Sequence, residues 1–283
     1  MQSHIYKAKK MRKGYTNIVG PQNSELRYIE FGILFLPEVG DKFEGRTESN
    51  EVVLTIFTGK CSIQAWRNSF NIDFRSIGER SDVFSGRATA VYLPPKTEYS
   101  VVAETPRLEI GVSGARSSIE GVPTLVKPVD VIERTVGALN WTRKVYTIIG
   151  ENVKAERILV GETINPPGNW SSCPPHKHDR KTFEEAPLEE VYFYKIKPEQ
   201  GFGLQRIYSS PEDDEPFDVV YVVENNDTIV IPRGYHPVAA APGYRLYYLW
   251  TLAGDERRYG AWTDDPKHSW LRKHELMLRE FLT

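Results

Sequence analysis

The feature that most constrains this chain is a recurring pattern of strand, break and strand, with almost no helix signal between. EVVLTIFTGKCSIQAW (51–66) is rich in β-branched and aromatic residues, with Thr58-Gly59-Lys60 as its predicted turn. ATAVYLPPKTEYSVVA (88–103) is an apolar run that stops at Pro94-Pro95 and resumes. EVYFYKIKPEQGFGLQRIYSS (190–210) repeats the strand, glycine turn, strand order, and DTIVIPRGYHPVAAA (227–241) again runs into a proline and resumes. YRLYYLW (244–250) adds a late strand. The clearest helix signal is SWLRKHELMLREFL (269–282), whose apolar residues fall at roughly helical spacing.

These segments recur as a pair. Laying AVYLPPKTEYSVVA over TIVIPRGYHPVAAA puts Pro94 on Pro232 and Glu98 on His236. Upstream, Glu51-Val52-Val53 falls on Glu190-Val191-Tyr192, each expected to open a hairpin. Two similar all-β units of about 130–150 residues, with many short strands and frequent turns, predict a duplicated sandwich or barrel. The expected division is 1–130 and 131–283.

Composition narrows the class. A chain of 283 residues can bury a large core, and 40% hydrophobic with 12% aromatic content argues against widespread disorder. The net charge is -2 with no block of like charge, so neither nucleic acid nor an anionic membrane is the expected partner. No apolar run approaches the ~20 residues of a membrane span. The start, MQSHIYKAKKMRKGY, is basic but lacks the apolar stretch of a secretory signal. Cys61 and Cys173 are too few for a disulfide framework, which favours a cytoplasmic protein with reduced thiols.

The two units differ in their histidines. The second carries His176, His178 and His236, where the matching stretches of the first carry none. In an extended segment alternate residues share a face, so His176 and His178 point one way and Lys177 the other. Two such imidazoles, a third and one carboxylate make an N/O donor set suited to Zn²⁺, Mn²⁺, Fe²⁺ or Ni²⁺. The carboxylate candidates are Glu184, Glu185, Glu189 and Glu190. Glu190 is preferred because it starts a strand in register with Tyr192 and Tyr194, although a bulge there would exchange it with Glu189. A surface strand with two solvated histidines is the bland alternative. The rigid Pro174-Pro175 approach, the acidic strand start and the later His236 weigh against it.

The order H-x-H, then Glu at a strand start, then a distant His resembles the metal site of the cupin superfamily. The stretches GNWSSCPPHKHD, LEEVYFYKIKPEQGFGLQRIY and DTIVIPRGYHPVAAAPGYRLYYLW are similar to the bacterial 5-deoxy-glucuronate isomerases of myo-inositol catabolism. ALNWTRKVYTII, SDVFSGRATAVYLPP and VVLTIFTGKCSIQAW extend the likeness through the first half. The related 5-keto-4-deoxyuronate isomerases have a similar H-x-H followed by Glu-Val-Tyr-Phe. The resemblance implies two tandem cupin domains, that is jelly-roll sandwiches, with a short C-terminal helix, and metal ligands His176, His178, Glu190 and His236. One departure is the 11 residues, 179–189, between His178 and Glu190, which a loop over the site would explain. Cys173 is another; it is read as a small apolar residue rather than a soft ligand.

The implied reaction moves a carbonyl from C1 to C2, turning 5-deoxy-D-glucuronate into 5-dehydro-2-deoxy-D-gluconate through a metal-stabilised enediolate. No nucleotide-binding motif is present. Tyr192 is the first candidate for the acid or base, with Tyr194 and Tyr235 behind it, although tyrosines on such faces are more often packing. The substrate carboxylate calls for a forked guanidinium, for which Arg206 and Arg233 lie on the expected strands and Lys177 ranks lower. Asp179, Ser171 and Ser172 are placed to orient the imidazoles or simply to form the turn. A related uronate isomerase, an iron-dependent dioxygenase and a non-enzymatic sugar-acid-binding cupin are the competing readings, and edge strands leave room for a homo-oligomer.

Overall fold

The computed structural model of the chain describes residues 4–8, 10–210 and 213–281, with side chains to residue 279. Its strands form two sandwiches with the same strand order. In the first, the large sheet runs Thr124–Val126, Thr89–Leu93, Asn50–Thr58, Leu108–Arg116, Ile29–Leu36, Gly14–Val19. In the second it runs Ile5–Tyr6, Thr228–Ile231, Glu189–Lys197, Arg245–Ala253, Ile158–Asn165, Arg143–Ile149, Ile132–Val136. Facing the first is the sheet Lys42–Arg46, Glu98–Ala103, Cys61–Arg67, Phe70–Ile77; facing the second is Trp170–Ser171, Val238–Ala240, Phe202–Tyr208, Asp218–Glu224. The chain is therefore two tandem cupin jelly rolls, with the helix Trp270–Phe281 where the sequence predicts it.

The repetition reaches small irregularities. Each half has a bulge, between Asn17 and Val19 in one and between Thr147 and Ile149 in the other. Beside each sits a glycine, Gly32 or Gly161, that lets a neighbouring carbonyl approach. A Cβ there would come within 2.4 Å of the Thr16 oxygen or 2.3 Å of the Tyr146 oxygen.

The expected hairpins do not form. Asn50–Thr58 pairs with Thr89–Leu93 and Leu108–Arg116, whereas Cys61–Arg67 pairs with Phe70–Ile77 and Glu98–Ala103. Glu189–Lys197 and Phe202–Tyr208 are split between sheets in the same way. The turns at 59–60 and 198–201 are corners that carry the chain from one sheet to the other. The reason lies in burial: seven consecutive residues of Asn50–Thr58, Glu51 to Phe57, are buried, as suits a strand covered on both faces.

The overlay of the halves also needs one correction. Val52 stands opposite Leu93 as Glu190 stands opposite Ile231, so Glu51 corresponds to Glu189 and Glu190 corresponds to Val52. Glu51 and Glu189 have matching tasks. Glu51 accepts the backbone N–H groups of Glu156, Arg157 and Ile158 at 2.7–2.9 Å and the Tyr92 hydroxyl at 2.9 Å. Glu189 accepts those of Arg27, Tyr28 and Ile29, each at 2.7 Å. Each carboxylate thus reaches from its own sandwich and fixes the start of a strand in the other.

Between the sandwiches the two large sheets share an apolar core. Phe57 stacks on Phe193 at 5.5 Å, and Phe31 lies 5.3 Å from the same ring. Within that core Arg80 makes a two-pronged pair with Glu162 at 2.5 and 3.0 Å, and the Tyr247 hydroxyl donates to the same carboxylate at 2.7 Å. No helix among the described residues is long and apolar enough to cross a membrane.

A candidate metal centre in the second sandwich

The strand Glu189–Lys197 is buried at its start, and the alternation of side chains sends Glu190, Tyr192 and Tyr194 into the interior of the second sandwich. Opposite them the short strand His176–Lys177 is held by Thr263–Asp264. His236 enters from the turn that follows Ile231 and is fully buried. The nitrogen donors of His176, His178 and His236 lie within 4.8 Å of one another. The Glu190 carboxylate lies 3.2 Å from Nε2 of His178 and 3.3 Å from Nε2 of His236.

The backbone sets which nitrogens face inward. Nδ1 of His178 donates to the Leu188 carbonyl at 2.7 Å, and Nδ1 of His236 to the Gly234 carbonyl at 2.9 Å. Protonation at Nδ1 leaves Nε2 of a neutral ring as an acceptor. Nε2 of His236 is buried and has no hydrogen-bond partner among the described residues. Lone pairs from two imidazoles and a carboxylate therefore converge on a small volume with too few protons between them. Burial, followed by the neighbouring imidazoles, holds His176 well below the usual histidine range; burial lowers His236 to about 4. On His178 burial opposes the charged form, but the Glu190 carboxylate outweighs it and raises the pKa. His176 and His236 are thus held neutral, and the Glu190 charge that favours a proton on His178 favours a divalent cation in the same place, so the donor set fits such an ion.

Glu189 is engaged elsewhere, in the clamp on residues 27–29, where burial raises its pKa against the three N–H groups. Glu185 accepts from buried Lys177 at 3.1 Å and from the N–H groups of Asp179 and Arg180. Glu184 lines a different cavity. Glu190 is the carboxylate within reach of the imidazoles. Lys177 points away from them, as the alternation predicts, and also pairs with Asp179 at 2.5 Å. Asp179 accepts from Gly234 N–H at 2.8 Å, so it braces the turn that carries His236. Ser171 bonds Asn165 and Tyr248 rather than an imidazole.

The cluster opens into a cavity of about 250 Å³ lined by Tyr192, Trp250, Tyr259, Trp262, Arg143 and the helix residue Glu275, among others. Trp262 lies 5.0 Å from the His176 ring. The Tyr192 hydroxyl is 3.4 Å from Ser172 Oγ, and burial with the nearby Glu190 charge keeps the phenol protonated. Tyr194 is tied up by donating to Gln205 at 2.6 Å. Cys173 lines the cavity too, a free thiol whose pKa burial raises.

The structure does not bring Arg206 or Arg233 to this cavity. Arg206 projects from the sandwich's other sheet and makes a two-pronged pair with Asp218 at 2.7 and 2.8 Å. Arg233 lies over the Phe217 ring and donates to the Glu215 carbonyl. For Arg206 this follows from strand alternation, since it stands between buried Gln205 and Ile207, whereas Arg233 lies in the turn beyond Thr228–Ile231. Arg143 and Trp262 were missed, since nothing in their spacing ties them to the H-x-H segment.

Two jelly rolls in tandem, with a buried histidine and glutamate cluster in the second, define a bicupin with a candidate metal centre. The chain belongs to the KduI/IolB family, which it matches over residues 4–271. It is 36% identical over 268 residues to the 5-deoxy-glucuronate isomerase of Geobacillus thermodenitrificans, covering 93% of each chain. With that of Bacillus subtilis strain 168 it shares 34% over 263 residues, 89% of this chain and 91% of the other. An IolB-like protein of Salmonella typhimurium LT2 superposes with a TM-score of 0.87 at 34% identity, covering 95% of this chain and 99% of that one. An oxalate decarboxylase of Lactobacillus farciminis, at 12% identity and a TM-score of 0.64 over 96% of this chain and 90% of the other, shares the fold.

Proposed function

We propose that the chain is a metal-dependent aldose–ketose isomerase that converts 5-deoxy-D-glucuronate into 5-dehydro-2-deoxy-D-gluconate. The observation that carries this reading is the convergence of His176, His178, His236 and Glu190 on one another beside a cavity, in a chain that matches proteins named as this isomerase nearly end to end. These four residues would hold the divalent ion, whose identity among zinc, manganese, iron and nickel follows cellular supply as much as donor type. When bound, the ion would supply Lewis-acid polarisation of the sugar's carbonyl and neighbouring hydroxyl. The backbone carbonyls of Leu188 and Gly234 fix two of the imidazoles before substrate arrives.

The reaction removes a proton from C2 and delivers one to C1. Tyr192, protonated and lining the cavity, donates its hydroxyl hydrogen bond to the sugar oxygen on which charge develops. Trp250, Tyr259 and Trp262 keep bulk water from the reacting carbons. The proposal includes a division near residue 130, with the metal in the C-terminal unit, and a reducing cytoplasmic setting for the free thiols of Cys61 and Cys173.

The test is conversion of 5-deoxy-D-glucuronate by the purified protein, followed by NMR before and after chelator treatment. Conversion to the 2-keto product, lost with chelator and restored by one divalent metal, is the expected outcome. A metal-loaded protein that leaves the sugar unchanged overturns the reading. Oxygen uptake with Fe²⁺ would then point to the dioxygenase.

A further inference from the structure

Arg143 opens the strand Arg143–Ile149 and lines the same cavity as His176, His178 and Glu190. Its Nη1 donates to the carbonyls of Trp141 at 3.1 Å and Cys173 at 3.2 Å, which aims the guanidinium. Those two carbonyls are the only hydrogen-bond acceptors it has among the described residues. Among the described residues it forms no ion pair, whereas of the other two guanidiniums that line the cavity Arg272 makes a two-pronged pair with Asp264 at 2.5 and 2.8 Å, and Arg134 is exposed at the rim. The cavity carboxylates are also committed: Glu190 faces the imidazoles, and Glu275 accepts from Gly137 N–H at 2.8 Å and from Arg279 at 2.7 Å. A half-buried guanidinium held by neutral carbonyls, with its remaining N–H groups uncommitted, is suited to pair with an anion. A guanidinium fork matches a carboxylate's two oxygens.

We propose that Arg143 binds the carboxylate of the sugar acid and thereby selects uronates over neutral sugars. The inference rests on the isomerase reading and adds to it the residue that recognises the far end of the substrate. With the carboxylate on Arg143 and the aldehyde end at the histidine cluster, the sugar lies across the cavity in one direction only. Arg206 and Arg233, engaged on the other sheet and at the surface, are not needed for this role.

The test compares the metal-loaded wild type with Arg143→Gln and Arg143→Lys. The substrates are 5-deoxy-D-glucuronate and the analogue bearing a primary alcohol in place of its carboxylate. Arg143→Gln is expected to lower kcat/KM for the uronate on the order of 10²-fold, chiefly through KM, while changing the analogue's rate less than about threefold. Arg143→Lys should fall between, since a point charge replaces the fork. Equal losses on both sugars would overturn the proposal and leave the isomerase reading standing. Should the wild type convert neither sugar, calorimetric binding of D-glucuronate against D-glucose decides the matter separately. Glucuronate binding that Arg143→Gln abolishes upholds the anion site, and binding that is absent or unchanged in the variant removes it. Circular dichroism and metal content, unchanged in both variants, show that the comparison is made on folded, loaded protein.

Discussion

The two sandwiches have one frame and two interiors. In the first, Val52 stands where the second has Glu190, exposed Glu98 where the overlay has His236, and the interior is filled by Leu34, Leu54, Ile63, Val101 and Ile110. In the second, the same strands enclose three imidazoles, a carboxylate and a cavity. Strand order, bulges and the reciprocal clamps of Glu51 and Glu189 are common to both. The difference teaches that the jelly roll does not itself supply chemistry. A few side chains on strands that the rest of the fold already holds rigid do so.

The sharpest way to break the comparison is to make the second interior resemble the first. His176→Ala with His178→Ala should lower conversion on the order of 10³-fold or more and abolish metal retention, with the sheet's circular dichroism unchanged. Surviving activity would sink the metal-site account.

The converse change forces the first interior to resemble the second. Val52→Glu puts a carboxyl where no imidazole stands, and denaturant unfolding should register a loss of about 3–5 kcal/mol at neutral pH without any second bound metal. Such a carboxyl has its folded pKa raised above the unfolded value of about 4.3. The penalty is therefore absent in acid and grows as pH rises through that value until the shifted pKa is passed. A variant as stable at pH 7 as at pH 4, relative to wild type, would show that the first core tolerates charge.

The shared frame is tested by Glu51→Gln and Glu189→Gln. Each sets an amide against backbone N–H groups that the carboxylate satisfied, and each should cost about 2–4 kcal/mol of stability. Both should retain metal. Loss of metal in Glu189→Gln alone would reopen its assignment as a ligand. The smallest expected effect is that of Tyr192→Phe, which should lower kcat about 10- to 100-fold with little change in KM. An unchanged kcat would reduce Tyr192 to packing.

Much of this was legible in the sequence. Proline breaks repeated at matching places announced the duplication. The alternation rule placed Lys177 away from His176 and His178, and strand register favoured Glu190 over Glu189. What escaped had physical reasons. A run such as residues 51–66 looks like a hairpin because a sheet-to-sheet corner and a hairpin turn use the same glycine chemistry. The partner of each strand is chosen by tertiary packing. Glu51 was overlaid on the wrong glutamate because a one-residue shift leaves the composition of the match unchanged while reversing every face. Arg143 sits in ALNWTRKVYTII, but its place beside Cys173 depends on where the strands of a whole sandwich run. Arg206 lies on a strand of the sheet away from the cavity, and Arg233 falls in the turn beyond Thr228–Ile231, where strand alternation no longer applies.

The most direct test of the central claim is metal titration of the chelator-stripped protein, with bound ion counted by mass spectrometry and conversion of 5-deoxy-D-glucuronate followed alongside. Activity that rises linearly and saturates at one ion per chain, with His236→Ala binding none, is the predicted result. Full conversion by the metal-free protein, or saturation at two ions with one in each sandwich, would contradict it.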